Sequence, residues 1–139
     1  MRTNHFVFTW GVLLLMLFIV GCGGYGGSMN NNPPPPPAIS NLPDHFQFQM
    51  TSGAYSTTTK TLEYVWSNSG TSAKVTNTSS ITAGTADLQI SDSMGTLVLE
   101  QNLTSSGTFI TAMGVTGDWK IEVILTGAKG TVSFHVDKM

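Results

Sequence analysis

Few residues in this chain are of types that do chemistry. Its 139 residues include one cysteine (Cys22), three histidines (His5, His45 and His135) and eight aspartates and glutamates. Nucleophilic catalysis needs an activated nucleophile beside a base, and neither a GxSxG elbow nor an HExxH motif occurs. Paired carboxylates set a looser requirement: Asp87 with Asp92, or Asp118 with Glu122, would have to approach one another. Asp92 is accounted for by a turn, Asp118 stands at a strand entry, and Glu122 alternates with apolar neighbours and so points to solvent. The pattern predicts no enzyme, no catalytic residue and no cofactor. One construction yields a metal centre: if the first and last strands are neighbours, outward parity sets His45 on one and His135 with Asp137 on the other, an N/N/O set of the kind zinc accepts. Lacking close ligand spacing, these residues read better as solvated strand-face groups, and no metal site is expected. Met50, Met94, Met113 and Met139 suggest copper only weakly, because Met50 has core parity and Met94 lies in a turn.

The remaining chemistry is that of the lone thiol. Arg2 is followed by an apolar run from Phe6 to Val20, interrupted only by Thr9, Trp10 and Gly11, and then by small residues at Gly21, Gly23 and Gly24. This is the order of a secretory signal. As a helix, residues 6–20 would span about 22 Å, short of the ~30 Å hydrocarbon core of a bilayer. The closing tetrapeptide Ile19-Val20-Gly21-Cys22 resembles the lipobox of bacterial lipoprotein signal peptides, with Ile19 where Leu is commoner. The resemblance implies cleavage between Gly21 and Cys22, diacylglyceryl attachment to the Cys22 thiol, and acylation of the new terminus. Several acyl chains exceed the two signals that lasting membrane attachment needs. Gly23 stands where an Asp would otherwise retain a Gram-negative lipoprotein at the inner membrane, so the resemblance implies the outer membrane; a Gram-positive host stays open. The alternative is an ordinary secreted protein with an incidental cysteine.

With the thiol consumed by the anchor, the exported part has no disulfide and stands on packing alone. Arg2 is one of the six Lys and Arg residues, so its removal leaves five lysines against eight carboxylates. That mildly acidic balance lacks the basic footprint of a nucleic-acid partner. Residues 22–38 are rich in Gly, Asn and Pro, including five consecutive prolines at Pro33–Pro37. The glycine part reads as flexible coil and the proline run as a polyproline II spacer of about 15 Å. A proline run also suits aromatic grooves, but nothing flanks it with specificity.

Three parts follow: a signal peptide at 1–21, a lipid-anchored linker at 22–38, and one domain at 39–139. The domain's apolar period is two, the period of a strand. Phe46, Phe48 and Met50 alternate with glutamines; Leu62, Tyr64 and Trp66 share one parity, as do Ala86, Leu88 and Ile90, then Trp119, Ile121, Val123 and Leu125, and finally Val132, Phe134 and Val136. Ala73 with Val75, Leu97 with Leu99, and the run from Phe109 to Met113 supply weaker strands. Asp92-Ser93-Met94-Gly95 reads as a tight hairpin, and Gly127-Ala128-Lys129-Gly130 as another before the last strand. About eight short strands joined by hairpins predict an all-β fold, an antiparallel two-sheet sandwich of Ig-like or jelly-roll kind.

The segments Ala86-Asp87-Leu88-Gln89-Ile90, Asp92 to Thr96, Gly117-Asp118-Trp119-Lys120-Ile121 and Gly130-Thr131-Val132 resemble the jelly-roll modules appended to secreted bacterial proteases, the P domains and prepeptidase C-terminal domains. That resemblance implies a non-catalytic accessory module. A glycan-binding face would need flat exposed rings; Tyr55, Tyr64, Trp66 and Trp119 are the available ones, and the last three have core parity. Residues 67–85 are the most polar part and read as an exposed loop with a short edge strand, the surface best suited to recruit a partner strand. The whole predicts a lipid-anchored cell-envelope protein with a non-catalytic β-sandwich that binds envelope or surface proteins, the alternative being a carbohydrate-binding module.

Overall fold

The computed structural model describes residues 35–52 and 59–139. The chain divides into two compact units, Met1–Asn31 and Asn32–Met139, and the described residues all belong to the second. The expected signal peptide, Gly21, Cys22, most of the linker and Tyr55 lie outside them.

Eight strands follow in order: β1 (Ala38–Leu42), β2 (His45–Ser52), β3 (Thr59–Asn68), β4 (Ala73–Asn77), β5 (Ser80–Ser91), β6 (Leu97–Asn102), β7 (Gly107–Ile110) and β8 (Gly117–Lys138). All pairings are antiparallel. The fold is all-β as expected, yet the count of eight arises differently. β1 carries no alternating apolar signal, and the two expected C-terminal strands are one strand of 22 residues.

β8 organises everything else. Its first half, from Gly117 to Thr126, lies between β3 and β5, and its second half, from Gly130 to Lys138, lies between β2 and β4. β2 and β3 thus run in succession along one side of β8, and β4 and β5 along the other. β6 adds to β5, β1 to β2, and β7 to β4. The two halves of this continuous sheet face each other as layers: Tyr64 of β3 packs on Phe46 and Phe48 of β2, with ring centroids 5.6 and 5.9 Å apart.

The expected hairpin at Gly127–Gly130 is instead the fold line within β8. Gly127 and Gly130 have φ of 58° and 116°, values that bend an extended strand and that L side chains rarely adopt. The pairing with β5 shifts register here, between Ile81 and Ala83 and again between Ala83 and Thr85. Bulges of this kind turn a strand without ending it. The backbone passes so close to β5 that a Cβ on Gly130 would lie 2.1 Å from the Ser80 carbonyl oxygen. Glycine therefore marks a corner here rather than a reversal. The Asp92–Gly95 hairpin forms as expected, with Gly95 at φ 83° and its amide donating to the Asp92 carbonyl at 2.9 Å.

Both ends of the folded β8 consequently lie at one end of the domain. This open end carries the β1–β2 turn, the 69–72 loop, the 92–96 turn and the 111–116 loop; the opposite end is the bend. The core between the layers holds the expected alternating residues, with Phe46, Phe48, Trp66, Leu88, Ile90, Trp119, Ile121, Val123, Leu125 and Val136 fully buried. Trp66 and Trp119 face each other across β3 and β8, edge to face at 5.9 Å.

Two weaker strand assignments change. In β6, Val98 is buried while Leu97 is exposed, because a register shift between Ile90 and Ser91 reverses the parity of the strand's start. The run Phe109–Met113 ends as a strand at Ile110, and Met113 stands in solvent. Residues 67–85 are not an exposed loop with an edge strand. β4 is paired on both sides, to β8 and β7, and Asn68, Asn77 and Ser79 are buried. Asn77 and Ser79 find their partners inside the fold, Asn77 donating to the carbonyls of Leu103 and Ser105 and accepting from Ser79, which is why composition alone misplaces the segment.

Candidate functional site

The outward face of the β2/β8/β4 layer brings together the residues of the metal construction. β2 pairs with β8 so that His45 stands opposite Asp137 and Gln47 opposite His135. Alternation then turns His45, His135 and Asp137 to the same side. His45 Nδ1 lies 2.6 Å from Asp137 Oδ1, and His135 Nε2 lies 3.5 Å from Asp137 Oδ2. The two imidazole centroids are 6.3 Å apart, with the carboxylate turning one oxygen to each ring. The premise that the strands are neighbours holds. Among the described residues, however, no group of three or more His, Cys, Asp or Glu is arranged to hold a metal ion.

The carboxylate pairs do not converge. Asp118 and Glu122 sit four residues apart on β8, about 13 Å along an extended strand, and Glu122 binds Lys120 at 2.9 Å. That contact raises the Lys120 pKa. Lys120 also offsets the like charges of Glu63 and Glu122, which stand directly opposite each other. Asp87 accepts from Asn102 Nδ2 at 2.6 Å on the outer face of β5. Asp92, at the end of that strand, is filled by backbone: Oδ2 accepts from Val115 N at 2.9 Å, and Oδ1 from Thr96 N at 2.8 Å and Met94 N at 3.0 Å. These amides, Val115's foremost, hold its carboxyl below the usual range against the opposing effect of burial. Asp92 is therefore a clasp between two loops of the open end.

Asp44 is a second clasp, and the sequence reading missed it. Pro43 and Asp44 form the two-residue β1–β2 turn, with Asp44 at φ 64°, a left-handed position that Asp tolerates. Its carboxylate accepts from Lys138 Nζ at 2.7 Å, from Ser69 N at 2.7 Å and from Ser69 Oγ at 2.9 Å. Lys138 and the Ser69 amide lower its pKa to about 2. Three separate parts of the chain meet on this side chain. The Leu42-Pro43-Asp44 sequence was the available signal for the turn, since Pro presets the first position and Asp suits the second.

Of the rings that a glycan platform would need, the three among the described residues point inward. Trp66 and Trp119 are fully buried, their indole N–H groups donating to the carbonyls of Leu42 (3.2 Å) and Val115 (2.7 Å). Tyr64 is half-buried against Phe46 and Phe48. Over β1 and β2 the surface has a shallow depression lined by Ala38, Ile39, Ser40, Gln47 and Gln49. Compared with known proteins, the chain matches no family model and no curated relative.

Proposed function

We propose that this is a lipid-anchored protein of the cell envelope, held through Cys22 and the Gly/Asn/Pro linker, whose β-sandwich is a non-catalytic binding or structural module for other envelope or surface proteins. The observation that carries the reading is the Ile19-Val20-Gly21-Cys22 tetrapeptide at the end of an apolar run, followed by a linker and a separately folded unit. Of the carboxylates that would have suggested catalysis, Asp92 clasps two loops, Asp87 accepts from Asn102 and Glu122 pairs with Lys120. The buried tryptophans favour a protein partner over a glycan.

The test is incorporation of labelled palmitate by the full chain in bacterial cells, together with fractionation. Label and membrane association should both be lost in Cys22→Ala. A Cys22→Ala protein that stays in the membrane fraction would overturn the anchor. Protease accessibility on intact against permeabilised cells then assigns the face, with cleavage on intact cells directing the search for partners outward.

A further inference from the structure

We propose that the open end of the domain is a self-association surface on which a second copy of this chain docks head to head. The inference is separate from the envelope reading and does not need the Cys22 anchor. Of the nine large hydrophobic residues exposed among the described residues, Ile39 and Val65 stand three residues in from the ends of β1 and β3, and the other seven lie at this end. Met113 (81% exposed), Met94 (75%), Ile110, Leu42 and Val115 form its crown. Single exposed apolar residues are ordinary, whereas a concentration of them at one place marks an interaction surface.

The crown rides on a fixed frame. Val115 N donates to Asp92, Ser93 Oγ donates to the Thr116 carbonyl at 2.8 Å, and Gly114 N donates to the Thr71 carbonyl at 2.8 Å. Loops tied in this way lose little freedom on docking, which lowers the entropic cost of association.

Charge identifies the occupant. Most charges near the crown are already matched within the domain, Asp44 with Lys138 and Asp137 with its two histidines. Lys74 and Asp118 are exposed and form no ion pair among the described residues. They flank the crown from opposite layers, Lys74 on the outer face of β4 and Asp118 on the outer face of the first half of β8. A two-fold axis across the open end, parallel to the layers, sets each layer of one copy over the opposite layer of the other. Lys74 of each copy then meets Asp118 of its mate, with the methionines packed between. Such a contact is isologous and closes at a dimer.

Sedimentation equilibrium of residues 32–139, a span that contains the whole described core and all its strand pairing, tests this. The protein should show a concentration-dependent monomer–dimer equilibrium, and Met113→Glu should weaken it at least about tenfold. Lys74→Asp alone brings like charges together at both contacts, as does Asp118→Lys alone, so each variant should be monomeric. Mixed one to one, the two variants should form a heterodimer, because both contacts become opposite-signed again. Recovery on mixing cannot come from misfolded protein. A monomer at every concentration, a dimer indifferent to Met113→Glu, or variants that stay monomeric when mixed would each overturn the proposal. So would a monomer whose Met113-dependent binding is to phosphatidylcholine vesicles, which would assign the crown to a lipid surface.

Discussion

Replacing Gly130 with alanine should be among the most damaging single-methyl additions in the domain. Two costs combine. At φ 116° the backbone is in a region that alanine enters only with strain, about 1–2 kcal/mol for a left-handed conformation. The added Cβ would also lie 2.1 Å from the Ser80 carbonyl oxygen, well inside the 3.0 Å that real Cβ atoms respect. β5 must then give way by about 1 Å at its first residues, which forfeits ladder bonding there and leaves a carbonyl short of its partner, roughly 1–3 kcal/mol. The sum is about 2–5 kcal/mol. Gly127→Ala supplies the control, since Gly127 has φ 58° but nothing within 4 Å of its would-be Cβ. That change should cost strain alone, about 1–2 kcal/mol. Urea unfolding, followed through the buried Trp66 and Trp119, gives both values from the midpoints at constant m. Equal losses in the two variants would refute the close approach of β5 to the bend and the corner built on it.

Two further outcomes follow from the clasps and the buried amides. Asp44 titrates at about 2 in the fold against an ordinary 3.8, so its contribution is fully present above 3.8 and is lost as pH falls through that value toward about 2. Asp44→Asn should flatten part of the acid-side fall in urea midpoint over that window, and an unchanged slope would count against the clasp; Asp92, shifted in the same direction, supplies part of what remains. Asn77 is buried, donating through Nδ2 to the carbonyls of Leu103 (3.0 Å) and Ser105 (2.8 Å) and accepting at Oδ1 from Ser79 N (3.0 Å). Asn77→Asp sets an oxygen against those carbonyls and should cost at least about 3 kcal/mol, more than Asn77→Ala. Wild-type stability in the aspartate variant would contradict this account of the 67–85 segment.

The parity of the strands was readable in the sequence because a two-layer core demands it. Phe46, Phe48 and Met50 or Trp119 to Leu125 can only be a half-buried strand, and each is one. Continuity was not readable, because glycine serves two ends equally well. In Gly95 a positive φ closes a hairpin, whereas in Gly127 and Gly130 it bends a strand that keeps both neighbours, and only the partners of β8 distinguish the cases. β1 escaped notice since Ala38, Ser40 and Asn41 offer little to bury, the strand being held by its ladder to β2. In β6 a single register shift at Ile90/Ser91 exchanged Leu97 for Val98. Parity set His45 and Asp137 on one face on the condition that their strands are neighbours, and the register meets that condition, while the Asp44 clasp depends on three distant parts of the chain and has no local signature beyond its turn.

The two ends of the domain divide its labour in physical terms. At the bend, glycine backbones approach within van der Waals limits and little side-chain chemistry can be accommodated, so change there is paid in stability. At the open end, Asp92 holds its loops through backbone amides, and Asp44 holds its own through the Ser69 amide and hydroxyl and Lys138, so the exposed apolar side chains around them are not part of either clasp. Leu42, Met94, Met113 and Val115 can therefore face solvent or a partner without disturbing Trp66 and Trp119 beneath. A fold arranged in this way confines recognition to residues that the core does not need. For that reason a variant such as Met113→Glu should separate association from stability, leaving the urea midpoint within about 0.5 kcal/mol of wild type while the dimer is lost. A midpoint that fell with the dimer would place Met113 in the core's support and end the distinction.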